Sequence, residues 1–233
     1  MRNRDARVAG ALYLLAILVG FATLRYLPGI LVQSGDALGT AHNLVEHEFL
    51  LRLAIVGDFV TGIVWLFVVL ALNRLLKGVD RTQAKLMVIL GAFMQVPLYF
   101  VNAMNYVAAL LLVSDPTLLT ALSSAERSAL AMLFLKLHYY ELLASLLFGG
   151  LWLFPFGTLV LKSRFLPRLL GAWLLLNGFA WLAICLCGFL TPQYSKAVGS
   201  LTSPFLLGEI AIALWLLIMG ARTLGRHEAT RRA

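Results

Sequence analysis

Six apolar stretches constrain this chain more than anything else in it. They run roughly over 8–27, 50–74, 86–113, 137–161, 168–190 and 204–221. A bilayer core of about 30 Å takes about 20 apolar helical residues, so each stretch is long enough to cross one. Only 13% of the residues are charged and 61% are hydrophobic, whereas a soluble domain has about 25% charged and about 45–50% apolar residues. An ordinary soluble domain and a disordered chain are both excluded. The expected fold is all-α: a single membrane domain over 1–233 with six transmembrane helices.

Turn residues and charges punctuate the stretches. Pro28-Gly29 is expected to end the first, and Lys77 to Arg81 divides the second from the third. Ser114-Asp115-Pro116 closes the third, Ser163 to Pro167 separates the fourth from the fifth, and Thr191-Pro192 ends the fifth. Ser203-Pro204 opens the sixth, with proline in the first turn, where its missing N–H costs nothing. Arg2, Arg4 and Arg7 before an apolar run resemble a signal peptide. That run is long, and Arg25-Tyr26 rather than a small-x-small site closes it, so an uncleaved first helix is expected.

Of the 19 Lys and Arg residues, Arg25, Arg52, Arg127, Lys136 and Lys196 fall on one side of this topology and the other fourteen on the other. The positive-inside rule then puts both termini in the cytoplasm of a multi-pass protein of the cell inner membrane. The net charge of +8 is mainly this asymmetry. It favours anionic lipid head groups as partners and gives no reason to expect nucleic acid. Two segments do not span. Residues 36–49 start at an Asp N-cap candidate and read as a short amphipathic helix on the outer face. Residues 123–136 open on Ser123 and Glu126, a capping-box pattern, and read as a helical lead-in to span four. Cys185 and Cys187 set no disulfide framework and read as small core residues. Arg7 to Ala11 echoes Arg168 to Ala172, and interfacial Arg with Gly for close helix packing explains the echo without duplication.

Several motifs are shared with a known family. They include Leu51 to Asp58 preceded by Gly35-Asp36, Phe134 to Tyr140, Phe148-Gly149, Gly157, and Ser163-Arg164-Phe165-Leu166-Pro167-Arg168 with Leu169 to Gly171. Together they resemble the bacterial membrane family catalogued as domain of unknown function 4386, from about Arg7 to the end of span five. The resemblance implies a multi-span membrane protein and no established activity. It also implies a small residue where this chain has Glu141, so a role for Glu141 would be particular to this chain.

Charges inside spans are costly and usually face a bundle interior or a wet cavity. Counted at about 1.5 Å per residue, Arg52, Asp58, Asn102, Asn105, His138, Glu141 and Glu209 all fall in the outer halves of spans two, three, four and six. Gln95, Tyr99, Asn102 and Asn105 share one helix face, and His138, Glu141 and Ser145 share another. Arg52 and Asp58 are expected to point into the bundle, with Arg25, Arg52 and Lys136 as options for Asp58. Pro97 and Pro155 should kink spans three and four. The reading best matched to this asymmetry is a polar pocket in the outer-leaflet half that takes a lipid or small amphiphile. A small-solute or proton-coupled transporter is the first alternative. A metal-dependent intramembrane enzyme acting on a lipid is the second, with His138 and Glu141 as ligands. Neither a Walker A motif nor a dinucleotide fingerprint occurs, and a lone intramembrane His does not suit haem, so no cofactor is expected. A homo-oligomer is compatible with the small number of spans.

Overall fold

A computed structural model describes residues 2–115, 117 and 120–221. Pro116 and the basic residues Arg222, Arg226, Arg231 and Arg232 lie outside the described residues. Among those described there is no strand, and six helical segments are long and apolar enough to cross a membrane: Arg2–Leu31, Glu48–Leu76, Arg81–Ser114, Ser124–Lys162, Arg168–Leu190 and Pro192–Ile218. The chain is a multi-pass membrane protein. The α-helices are α1 (Arg2–Phe21), α2 (Leu27–Leu31), α3 (Ala37–Glu46), α4 (Glu48–Leu76), α5 (Arg81–Val88), α6 (Val96–Ser114), α7 (Ser124–Leu151), α8 (Leu153–Lys162), α9 (Arg168–Leu190) and α10 (Ser195–Ile218).

The spans start or end a few residues away from the expected bounds at several places, and at two of them the expected boundary lies at a proline that the helix runs past. Span one runs on past Pro28 to Leu31. A π-helical turn at Ala22–Tyr26 precedes that proline, with the Leu27 N–H bonded to the Ala22 carbonyl, so the helix widens by one residue instead of stopping. Span six does not start at Pro204, which lies inside α10. The proline deprives the Ser200 carbonyl of its backbone donor, and the Ser203 hydroxyl donates to it instead at 2.9 Å. The breaks expected at Pro97 and Pro155 are present. A second π-helical turn, Ile89–Phe93, precedes Pro97, and a turn at Trp152 separates α7 from α8 ahead of Pro155.

The two connecting segments are helical. Asp36 caps α3 by accepting from the Gly39 N–H at 2.8 Å. Ser123 and Glu126 form the reciprocal capping box, and α7 then continues without interruption into span four.

The chain divides into two compact units. The first comprises Met1–Ala16, Val64–Gln95 and Ser145–Ala233. Its core holds Tyr13, Trp65, Trp152 and Phe156 in mutual ring contact, with Trp65 and Trp152 edge-on at 4.9 Å. The Trp65 indole donates to the Gly91 carbonyl at 2.8 Å, bonding a backbone oxygen of the second π-turn. Gln95 crosses from that same break to α7, donating to the Leu90 and Phe148 carbonyls at 3.2 and 3.3 Å. Helices α7, α8 and α9 meet at two glycine pairs. A Cβ on Gly150 would lie 2.7 Å from the Gly178 carbonyl oxygen, and one on Gly157 would lie 2.8 Å from that of Gly171. Gly10 likewise faces the α10 backbone at Ala213 and Leu217. The Arg-x-x-Gly echo is therefore a packing device, as small residues at membrane helix contacts generally are.

The second unit comprises Ile17–Ile63 and Val96–Ala144. Its core is aliphatic, built from Leu27, Leu31, Leu44, Leu51, Ala54, Ile55, Leu110 and Leu135, with Tyr106 as its large aromatic. Leu44 ties α3 into that core, while Leu38 and Val45 stay exposed.

Candidate functional site

Asp58 and His138 are eighty positions apart in sequence and meet in the second unit. His138 Nε2 lies 3.1 Å from Asp58 Oδ2, and the two side chains are 4% and 0% exposed. Both groups are buried, and a buried polar group needs a hydrogen-bond partner, which each finds in the other. The Tyr106 ring stacks on the imidazole with centroids 3.7 Å apart. Three helices thus fix the His138 ring: α4 through Asp58, α6 through Tyr106 and its own α7. Asp58 Oδ1 and the Tyr106 hydroxyl have no hydrogen-bond partner among the described residues. The Thr23 hydroxyl is turned to the Val19 carbonyl at 3.2 Å.

A cavity of about 480 Å³ opens beside this group, and every residue lining it belongs to the second unit. His138, Tyr106 and Tyr139 form part of its wall, together with Leu24, Val32, Met132, Leu135 and Leu142. Arg25 and Lys136 also line it, and neither takes part in an ion pair among the described residues. Arg25 is carried by the π-helical turn ahead of Pro28, a local irregularity of the kind that often marks functional sites. Gly29 sits at the cavity too, with open space where a side chain would be. The volume falls in the range of about 300–1,000 Å³ typical of small-molecule sites.

The remaining sequence candidates are distributed as follows. Asn105 donates to Glu141 at 3.0 Å and to Asn102 at 3.3 Å, which joins the polar stripes of α6 and α7. Arg52 corrects the expectation of a bundle-facing charge. It is exposed, and its guanidinium pairs with Glu48 one turn earlier on α4, 2.7 Å from Nε. Glu209 belongs to the first unit, where it accepts from the Tyr13 hydroxyl, from the Trp181 indole at 2.9 Å and from Asn177 at 3.4 Å. These are neutral donors, and among the described residues Glu209 takes part in no ion pair. Among the described residues no three His, Cys, Asp or Glu side chains converge as metal ligands would. Tyr106, Tyr13 and Trp181 are partners the sequence gives little sign of, because aromatics in apolar spans look like core. Both cysteines are buried, and Cys187 exchanges weak contacts with Thr191.

No curated protein and no solved structure matches the chain. The family model described as Domain of unknown function (DUF4386) matches residues 8–220. With its six membrane-crossing helices and nearly the whole chain matched, this protein belongs to the DUF4386 family.

Proposed function

We propose that the cavity of the second unit binds an anionic amphiphile, a carboxylate or phosphate head group carrying an alkyl chain. The observation that carries this reading is the pairing of two unneutralised cations, Arg25 and Lys136, with an otherwise largely apolar and aromatic lining. Both side chains are exposed, so their charged groups are open to an anion, and a carboxylate or phosphate bound between them would make charge-assisted hydrogen bonds. The Asp58-locked His138 adds a nitrogen-bearing ring to the wall, held in one orientation so that little is lost on ordering it. With both termini in the cytoplasm, the cavity would lie towards the outer leaflet.

Thermal unfolding of the detergent-purified protein tests the proposal with three probes of equal chain length: palmitate, hexadecyl phosphate and hexadecanol. The two anions should raise the midpoint and the alcohol should not. Arg25→Gln/Lys136→Gln should abolish the anion effect. Equal shifts with hexadecanol, or an undiminished response in the double variant, would argue against an anion-reading pocket.

A further inference from the structure

A second, separate cavity of about 620 Å³ lies wholly in the first unit, at the first turns of α1, the end of α4 and the start of α5. Arg2, Arg74, Lys77, Arg81 and Lys85 all line it, against a single acid, Asp5. None of these six takes part in an ion pair among the described residues. Asp80 stands between Lys77 and Arg81 in sequence and is the carboxylate best placed to neutralise them. Its oxygens are engaged elsewhere, accepting from Lys162 Nζ at 2.7 Å and from the Thr82 and Gln83 N–H groups at 3.0 and 3.1 Å. The positive-inside rule accounts for basic residues on one side of a membrane. It does not require five of them, Arg2 from the start of the chain and four from 74–85, to surround one hollow.

We propose that this cavity is a binding site for an anion carrying at least two phosphates. One phosphate cannot offset five cations, whereas a diphosphate head spans several. Basic pockets between membrane helices on the cytoplasmic side hold such lipid head groups. The same chemistry is offered by a two-phosphate lipid such as cardiolipin and by a soluble pyrophosphate group. The site is independent of the amphiphile pocket and shares no residue with it.

Native mass spectrometry on the full chain in detergent separates the cases. The lipid arm compares cardiolipin with phosphatidylglycerol, and the soluble arm compares inorganic pyrophosphate with inorganic phosphate. In at least one arm the two-phosphate species should be retained over its one-phosphate counterpart, and the arm that responds names the source. Lys77→Gln/Arg81→Gln/Lys85→Gln should weaken that retention about tenfold or more. Arg164→Gln/Arg168→Gln, which removes exposed cations outside the cavity lining, should leave it unchanged. Should the triple variant fail to fold, Lys77→Gln alone, in an exposed turn, should show a smaller loss in the same direction. No preference for two phosphates in either arm, or equal losses in the cavity and control variants, overturns the proposal. So does an unchanged response in Lys77→Gln.

Discussion

Asp58 is wholly enclosed, and His138 answers its charge at hydrogen-bonding distance. Deleting one member of such a pair leaves the other buried and uncompensated, at a cost of about 3–5 kcal/mol. His138→Ala should therefore lower the thermal midpoint of the purified protein steeply. Asp58→Leu/His138→Leu, with both polar groups replaced, should recover much of the loss, and a double-mutant cycle measures the coupling. Purely additive effects would show that the two side chains do not depend on each other. Asp58 and His138 are each recognisable in the sequence as polar groups inside apolar runs. Their pairing is not, because the rotation of each helix about its axis is set by its neighbours and not by local periodicity. Spacing leaves Asp58 with three cationic options, and the structure supplies a histidine eighty positions away. Arg52 is a different kind of miss. Glu48 is four residues before it, the spacing at which helical neighbours pair, so its exposed ion pair was readable from the sequence.

At the scale of the helices, proline punctuation misleads where the chain has a local remedy. The π-turn before Pro28 and the Ser203 hydroxyl beside Pro204 keep two helices going that sequence rules would stop. Length and apolar content, by contrast, locate all six spans, since the bilayer imposes them directly. The glycine pairs between α7–α8 and α9 allow backbone to approach backbone. Gly157→Val would drive a side chain into the Gly171 carbonyl and the Leu175 side chain. Overpacking of this kind costs about 1–3 kcal/mol or more, and the expected result is a lowered midpoint. Gly149→Ala, with open space at its Cβ, is the control that should leave the midpoint near wild type.

The cap of α5 gives a pH signature. The Lys162 ammonium beside Asp80, followed by the Gln83 N–H, holds its carboxyl below the usual carboxylate range. A carboxyl lowered in the folded state contributes stability that is complete above its unfolded value. That contribution is lost as the pH falls through the folded one. Between about pH 6 and about pH 3 the wild-type midpoint should drop more than that of Asp80→Asn, which has no such charge to lose. Parallel curves would mean that the cap and the Lys162 contact add nothing through ionisation.

Over the whole molecule, the same physics that makes the chain a membrane protein makes its polar positions informative. With 13% charged residues, each charge inside a span must be paired, solvated by donors or left for a ligand. Asp58 is paired, Glu209 is surrounded by neutral donors, and Arg25 and Lys136 are left over at a cavity. That contrast, and not the mere presence of polar groups, is what points to a ligand. The sequence supports a polar pocket in general terms, but it does not separate the residues that satisfy one another from those that do not.

The most direct measurement is photo-crosslinking with diazirine-bearing palmitate in membranes containing the protein, followed by peptide mapping. Labelling should concentrate in the peptides covering 24–35 and 132–142 and be competed by unlabelled palmitate. Gly29→Trp should abolish it, because Gly29 lines the cavity and a Cβ there meets no neighbour. Labelling spread over exposed apolar side chains such as Leu169 and Phe189, uncompeted and unchanged in Gly29→Trp, would contradict the proposed amphiphile pocket.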